Sequence, residues 1–375
     1  MKKKKIAIIG AGNAGCITAL NFYFYARDTC EIEIYHSPEK HPIERVGQGT
    51  NIPPATLISS VLGGNWYDKN CIGATLKKGI LYEGWGKAMN EIFHPFLMTN
   101  MAIHYVPQRL SDLVLTCGLF KVKEQTIDDP EKEIDSDWII DCRGRHNRDQ
   151  NNYDPLINPL NSVLLYKKEG RDPLLDYTRS VATPNGWTFV VPNIDSVSYG
   201  YLYNNNITSK EDATEDFLER FNLPEIDGDL TFENYIAKNI CVGERTFLNG
   251  NRCGFLEPLE ATSTRFYQTV CKSVYDYMDG LMNRQHVNKY VRDEMFRLET
   301  FIMWHYQFGS KYNSPFWDYA KTLPFRPDAG FNEALELSKS MTYLEMEQKF
   351  GGYGQWSYAS FRCWYDGTSK HAIID

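Results

Sequence analysis

The stretch Ile6-Ala7-Ile8-Ile9-Gly10-Ala11-Gly12-Asn13-Ala14-Gly15 decides the fold. Its apolar opening fits a buried parallel strand, and the glycines follow at once. Ile17, Leu20 and Phe24 then recur at helical spacing. The Gly-x-Gly-x-x-Gly pattern therefore stands between a strand and a helix, which is the context a dinucleotide site requires. In this reading Gly10 makes the tight turn, Gly12 lets a pyrophosphate approach the backbone, and Gly15 lets the helix pack. The next strand, Glu31 to Tyr35, should end in an acid that bonds the adenosine ribose, but the position holds His36. His36 or Ser37 is left to bond a ribose hydroxyl.

Further along, Gly47 to Pro54 is a glycine-rich turn into a Pro-started helix carrying Leu57, Ile58 and Val61. Lys77 to Trp85 reads as one extended apolar run in which Lys77 and Lys78 point to opposite faces. Asp137 to Gly144 reads as a strand ending in a charged glycine turn, where an open α/β sheet meets its ligand. From about 151 to 206, Pro, Asn and Asp punctuate short β-prone runs at Ser162 to Tyr166, Trp187 to Val191 and Ser196 to Tyr203, which predicts an inserted antiparallel sheet. Gly254 to Thr264 places Glu260 and small polar residues at a helix start, since Phe266, Val270, Val274, Met278 and Leu281 follow on one apolar face. Free N–H groups there would attract an anion, while Glu260 taken alone could equally cap the helix. Val287, Val291, Met295, Leu298 and Ile302 give another helix, and the stretch from Gly351 onward shows no clear period.

Composition narrows the function. The 375 residues can bury a large core, and 40 basic against 48 acidic side chains give a net charge of -8. That balance argues against a nucleic-acid or anionic-membrane binder and favours a small-molecule substrate. No apolar run approaches a membrane span, and Lys2 to Lys5 do not lead into a signal peptide, so the expected location is cytoplasmic. Nine scattered cysteines without a Cys-x-x-Cys pair read as reduced thiols, and eight dispersed histidines predict no metal.

Several of these segments together resemble the flavin-dependent halogenases of the tryptophan halogenase family. Gly10 to Gly15 looks like its FAD fingerprint and Asp137 to Gly144 like its second flavin motif. Gly186-Trp187-Thr188-Phe189-Val190-Val191-Pro192 is similar to Gly-Trp-x-Trp-x-Ile-Pro, with Phe189 for the second Trp and Val191 for Ile. Phe255 to Thr262 matches Phe-Leu-Glu-Pro-Leu-Glu-Ser-Thr, with Ala261 for Ser and Ser263 where Gly usually follows. Ser314-Pro315-Phe316-Trp317 after His305-Tyr306 resembles a further motif.

The resemblance implies an α/β (mixed α+β) architecture: a Rossmann-like FAD-binding, flavoprotein monooxygenase-type fold with an inserted antiparallel sheet and a helical C-terminal cap. The expected division is an FAD-binding domain over 1–282, with the β-rich segment near 151–235, and a cap over 283–375. It also implies catalytic roles for Lys77 and Glu260, and halide binding at Thr262 and the Ser263 amide. His94, Pro95 and Phe96 would form the aromatic-substrate pocket. The cofactor-binding set becomes Gly10, Gly12, Asn13, Ala14, Gly15, His36, Gly49, Thr50, Gly144 and Leu256. Reduced FAD (FADH2) from a separate NAD(P)H-dependent reductase, dioxygen and halide would yield hypohalous acid, which passes to Lys77 and halogenates an electron-rich aromatic. Assembly as a homo-oligomer is left open. Rival readings are an FAD-dependent aromatic hydroxylase on the same scaffold, which would not need Lys77 with Glu260, and a flavoprotein that binds without turnover.

Overall fold

A computed structural model describes residues 3–38, 47–63, 71–87, 89–96, 102–145, 148–349 and 351–369. The chain divides into two compact units, the first comprising Met1–Leu76, Asn100–Leu156 and Asn234–Met295, the second Lys77–Thr99, Ile157–Glu233 and Phe296–Asp375.

The first unit is organised on a five-stranded parallel sheet in the order Thr246–Leu248, Trp138–Asp141, Lys4–Ile9, Cys30–His36, Lys121–Glu124. Ile6, Ala7 and Ile8 are fully buried, as a strand covered on both faces requires. On one face Ala7, Ile9, Tyr35, Ile127, Ile134 and Ile139 form a continuous core. The helix Asn13–Ala26 leaves the central strand through the glycine turn and buries Ile17 and Leu20. Phe24, expected on the same face, lies in its last turn and is exposed. The helix Ser263–Met278 packs on this first helix and buries Phe266, Val270 and Val274. It is shorter than the periodicity predicts. Gly280, at φ +76°, turns the chain out of the helical path, and Leu281 is left exposed.

The second unit holds a seven-stranded sheet in the order Gly228–Thr231, Ser162–Glu169, Ser196–Tyr203, Gly186–Pro192, Thr178–Thr183, Gly79–Glu83, Glu91–Pro95. Its pairings are antiparallel except that of Thr178–Thr183 with Gly79–Glu83. The three predicted inserted strands are all present, joined by Thr178–Thr183 and Gly228–Thr231, and by Gly79–Glu83 and Glu91–Pro95, which the sequence does not tie to them. The single run read from Lys77 to Trp85 is in fact two strands, Thr75–Lys77 and Gly79–Glu83, broken at Lys78. Lys78 leaves the ladder because its N–H donates to the Asp176 carbonyl while its own carbonyl accepts from the Phe96 N–H.

The helix Arg284–Phe308 buries Val287, Val291, Met295, Leu298 and Ile302, as their spacing predicts. The aperiodic C-terminal stretch contains a helix, Tyr358–Ser369, that buries Phe361 and Trp364 and packs on the edge strand Glu91–Pro95. Among the described residues no helix is long and apolar enough to cross a membrane, and none of the nine cysteines is in a disulfide. Burial pushes the Cys16 and Cys271 thiols up to about 12, so these side chains act as small apolar fillers.

Candidate functional site

In the first unit the three glycines of the fingerprint have separable physical reasons. Gly10 has φ +104°, and a Cβ there would lie 2.8 Å from the Cys142 carbonyl oxygen. A Cβ on Gly15 would lie 1.9 Å from the Gly10 carbonyl oxygen. The chain itself therefore demands both. Gly12 has ordinary extended geometry (φ -70°, ψ -173°), and a Cβ there would meet no atom within 4 Å. Among the described residues nothing fills that space.

Gly12 is also the N-cap of the first helix and offers no side chain to satisfy the N–H groups of its first turn. Asn13 is buried, accepts the Tyr105 hydroxyl on Oδ1 at 2.5 Å, and has no partner for Nδ2 among the described residues. Gly144, at φ +77°, adds a second open position beyond the strand Trp138–Asp141. The helices after Asn51 and Thr262 likewise begin without a side-chain cap hydrogen bond. In the second unit, by contrast, Ser209, Ser314, Asp328 and Thr342 cap their helices. An uncapped helix start, an orphan buried amide donor and space over two glycines fit an anionic dinucleotide.

The surrounding framework is rigidly tied. Buried Asp141 takes Arg143 on both oxygens, at 3.0 and 2.8 Å, and Arg252 at 3.3 Å. Fully buried Asn249 donates to Thr18 Oγ1 (2.9 Å), the Tyr267 carbonyl (3.2 Å) and Cys271 Sγ (3.3 Å), pinning the first helix to the helix Ser263–Met278. His36 ends the second strand, with Nδ1 3.2 Å from the Ser37 carbonyl oxygen. In the tautomer that carries its proton on Nδ1, this nitrogen donates to the carbonyl. Thr50 is fully buried and exchanges hydrogen bonds with the Ile103 backbone through its hydroxyl, which gives it a structural tie whatever else it does. Gly49 lies in the short strand Gln48–Gly49 beside it, and Leu256 is half-buried.

Glu260 and Ala261 both take left-handed conformations, φ +71° and +52°, which costs about 1–2 kcal/mol per non-glycine residue. The Ala261 N–H donates to the Pro258 carbonyl, and Thr262 returns to right-handed geometry at φ -75°. Alternation from left- to right-handed backbone turns successive N–H groups to one concave side. The first helical bond then runs from the Phe266 N–H to the Thr262 carbonyl, leaving the Ser263 amide within the unpaired first turn.

In the second unit Lys77 is 1% exposed, with Nζ 5.1 Å from the Phe96 ring centroid. The His94 ring meets Phe96 edge-on at 5.8 Å, so Lys77, His94 and Phe96 form one cluster, while Pro95 is exposed. Lys78 is exposed and ion-pairs with Asp176. Trp187 is buried among Trp85 and Phe189, and the Phe189 ring lies over Gly200, where a Cβ would approach it to 2.0 Å. The Ser314 to Trp317 segment is a tie onto the sheet: Ser314 Oγ donates to the Pro184 carbonyl and Trp317 Nε1 to the Thr183 carbonyl at 2.8 Å.

A model of the tryptophan halogenase family matches residues 5–112 and 119–360. The chain belongs to the tryptophan halogenase family. It is 23% identical over 304 residues to the tryptophan 6-halogenase ThaL of Streptomyces albogriseolus, covering 72% of this chain and 55% of ThaL. With the tryptophan 7-halogenase RebH of Lentzea aerocolonigenes it shares 23% identity over 205 residues, 50% of this chain and 38% of RebH. The matched region thus spans about half or less of these relatives. The fold is that of BrvH, a flavin-dependent halogenase from Brevundimonas sp. BAL3, with a TM-score of 0.78 at 17% identity over 98% of this chain and 90% of that one.

Other residues of the first unit enter only with the structure. Tyr105 orients Asn13, Asn249 clamps two helices, and Thr264 and Gln268 bury polar atoms without partners among the described residues. Thr264 and Gln268 stand four apart on an apolar helix, and that spacing is the one sequence signal that could have marked them.

Proposed function

We propose that this chain is a flavin-dependent halogenase that places a halogen on an electron-rich aromatic carbon. Family membership supports the class of reaction, and the ligand space over Gly12 beside the Asn13 amide supports FAD as the cofactor. Reduced FAD, when bound, supplies the electrons with which dioxygen oxidises halide to hypohalous acid. Gly10, Gly12, Asn13, Ala14, Gly15, His36, Gly49, Thr50, Gly144 and Leu256 hold the dinucleotide, and Thr262 with the Ser263 N–H holds the halide.

The observation that carries the reading is buried Lys77 beside His94 and Phe96, next to an exposed Lys78. A lysine is rarely buried without a task, and the aromatic neighbours stabilise its cation or shelter its amine. Lys77 captures hypohalous acid by hydrogen bonding, or reacts as the free amine to give a haloamine and water. The halogen then passes to the aromatic carbon, and the ring proton leaves to the Glu260 carboxylate. His94, Pro95 and Phe96 present the planar substrate.

The electrons come from a separate NAD(P)H-dependent flavin reductase, since the sequence holds one glycine-rich strand-turn-helix unit. The reaction belongs in the cytoplasm, where scattered cysteines stay reduced.

The test incubates the purified chain with FAD, a flavin reductase, NADH and air. A panel of phenols and indoles is supplied with chloride, bromide or iodide in turn, and products are read by mass spectrometry. A halogen mass shift that depends on the added halide is expected. An oxygen mass shift alone would make the protein a hydroxylase, and NADH oxidation without the reductase would remove the separate partner.

A further inference from the structure

The helix Ser263–Met278 carries two polar side chains that the protein leaves unsatisfied. Thr264 is 0% exposed and Gln268 8% exposed, yet neither Thr264 Oγ1 nor Gln268 Oε1 has a hydrogen-bond partner among the described residues. Other hydroxyls of the same helix behave differently. Thr269 Oγ1 donates to the Arg265 carbonyl and Ser273 Oγ to the Thr269 carbonyl, each folding back one turn. Thr264 has no such recourse, because the residue four before it is left-handed Glu260, outside the helix.

Thr264 and Gln268 lie four apart, hence on one face, and Cys271 continues the stripe. Asn249 bonds both Cys271 Sγ and Thr18 Oγ1, so this stripe faces the helix that begins at Asn13. That helix contributes a third orphan atom, Asn13 Nδ2. The three differ in chemistry. An amide N–H at an uncapped helix start suits a phosphate oxygen, whereas an amide oxygen and a hydroxyl suit a group that donates and accepts together, which is what an alcohol does. Burying such atoms unpaired is unfavourable, and a fold tolerates it where a ligand supplies the partner.

We infer that Thr264 and Gln268 bind the hydroxyls of the flavin's ribityl chain, as a pair of cofactor-positioning residues at the first turns of the helix Ser263–Met278. This rests on the proposed flavin function. The pair stays unsatisfied in the apoprotein, so removing its polar atoms helps the apoprotein and harms the complex. Those opposite signs set it apart from a structural role.

The experiment uses the full chain with Thr264→Val, Gln268→Leu and the double variant, which keep shape and remove the polar atoms, and Thr264→Ser, which keeps the hydroxyl. Melting temperature is measured without cofactor, and dissociation constants for FAD and FMN come from flavin fluorescence titration. The apo melting temperature should be equal to or above wild type. FAD and FMN should both weaken by the same factor, at least about tenfold in the double variant, while Thr264→Ser retains wild-type affinity. A lower apo melting temperature in Thr264→Val and Gln268→Leu would show that the polar atoms are satisfied within the protein, and would overturn the inference. So would unchanged FAD affinity, or a loss confined to FAD. A wild-type chain that binds no FAD would instead overturn the proposed function itself.

Discussion

Substituting Gly12 and Gly15 separates what the glycine turn does for the fold from what it does for the ligand. At Gly15 an added Cβ sits 1.9 Å from the Gly10 carbonyl oxygen, against the 3.0 Å below which real contacts essentially do not occur. Backbone must move by about 1.1 Å, and overpacking against an atom that cannot rotate away puts Gly15→Ala near the upper end of the usual range, about 3 kcal/mol. With an unfolding entropy of about 2.1 cal/mol/K per residue, the melting temperature should fall by about 4 °C. At Gly12 nothing lies within 4 Å and φ is -70°, so alanine fits without strain; the narrower unfolded ensemble, worth about 0.4–1 kcal/mol, is offset by the poorer capping of alanine than glycine at a helix N-cap. Gly12→Ala should therefore melt within about 1 °C of wild type. Gly12→Val should lose FAD affinity at least about a hundredfold, near 2.8 kcal/mol, because its branches take the space meant for the pyrophosphate. Differential scanning fluorimetry of the apoproteins and flavin fluorescence titration give both quantities. A Gly12→Ala protein as destabilised as Gly15→Ala, or a Gly12→Val protein that binds FAD normally, would refute the reasoning.

Lys77→Ala should keep FAD binding and abolish aryl halide formation, read by mass spectrometry, while Lys78→Ala loses only an exposed ion pair with Asp176, worth about 0–1 kcal/mol, and keeps activity. Glu260→Gln should retain fold and flavin reoxidation but lower the halogenation rate at least about a hundredfold, because it keeps shape and removes the base; an unchanged rate would exclude Glu260 as proton acceptor. For Glu131, burial raises the carboxyl, but hydrogen bonds from Thr246 and Arg245 outweigh it and hold the pKa below the ordinary glutamate value. A depressed carboxylate stabilises the fold above its unfolded-state pKa and loses that contribution as pH falls through the folded value. Wild type should therefore melt above Glu131→Gln at neutral pH, with the gap closing in acid; a gap that widens in acid would reverse the assignment.

Much of the secondary structure was legible where its signals are local. The strand before Gly10, the helix after it and the apolar stripe from Val287 to Ile302 each concern residues within a few turns of one another. The alternation set Lys77 and Lys78 on opposite faces without choosing between them; Lys77 is the buried one and Lys78 the exposed one, and the strand breaks between them. What escaped depends on distant partners. Gly79–Glu83 and Glu91–Pro95 join a sheet whose other strands come from 162–231, and Gly79 is glycine because the His94 carbonyl oxygen would lie 2.3 Å from its Cβ. Composition cannot announce such a contact. The left-handed turn at Glu260 and Ala261 was illegible for another reason: neither residue favours that conformation, so surrounding structure imposes it. The helix Tyr358–Ser369 hid behind its density of aromatics, which fit a strand or a core equally well.

The five-stranded sheet has a consequence for how the chain is made. Its strand Trp138–Asp141 is flanked on one side by Lys4–Ile9, already synthesised, and on the other by Thr246–Leu248, which cannot arrive until everything from Cys142 to Arg245 has left the ribosome. During that interval the nascent sheet shows an open ladder on Trp138–Asp141, and Glu131 waits for the Arg245 and Thr246 that will bind it. Pairing so distant in sequence makes the closing step slow, and an unpaired parallel edge recruits other chains. Fragments ending before Thr246 should accordingly accumulate as aggregates, and slow translation or chaperone supply should set the yield of the full-length protein.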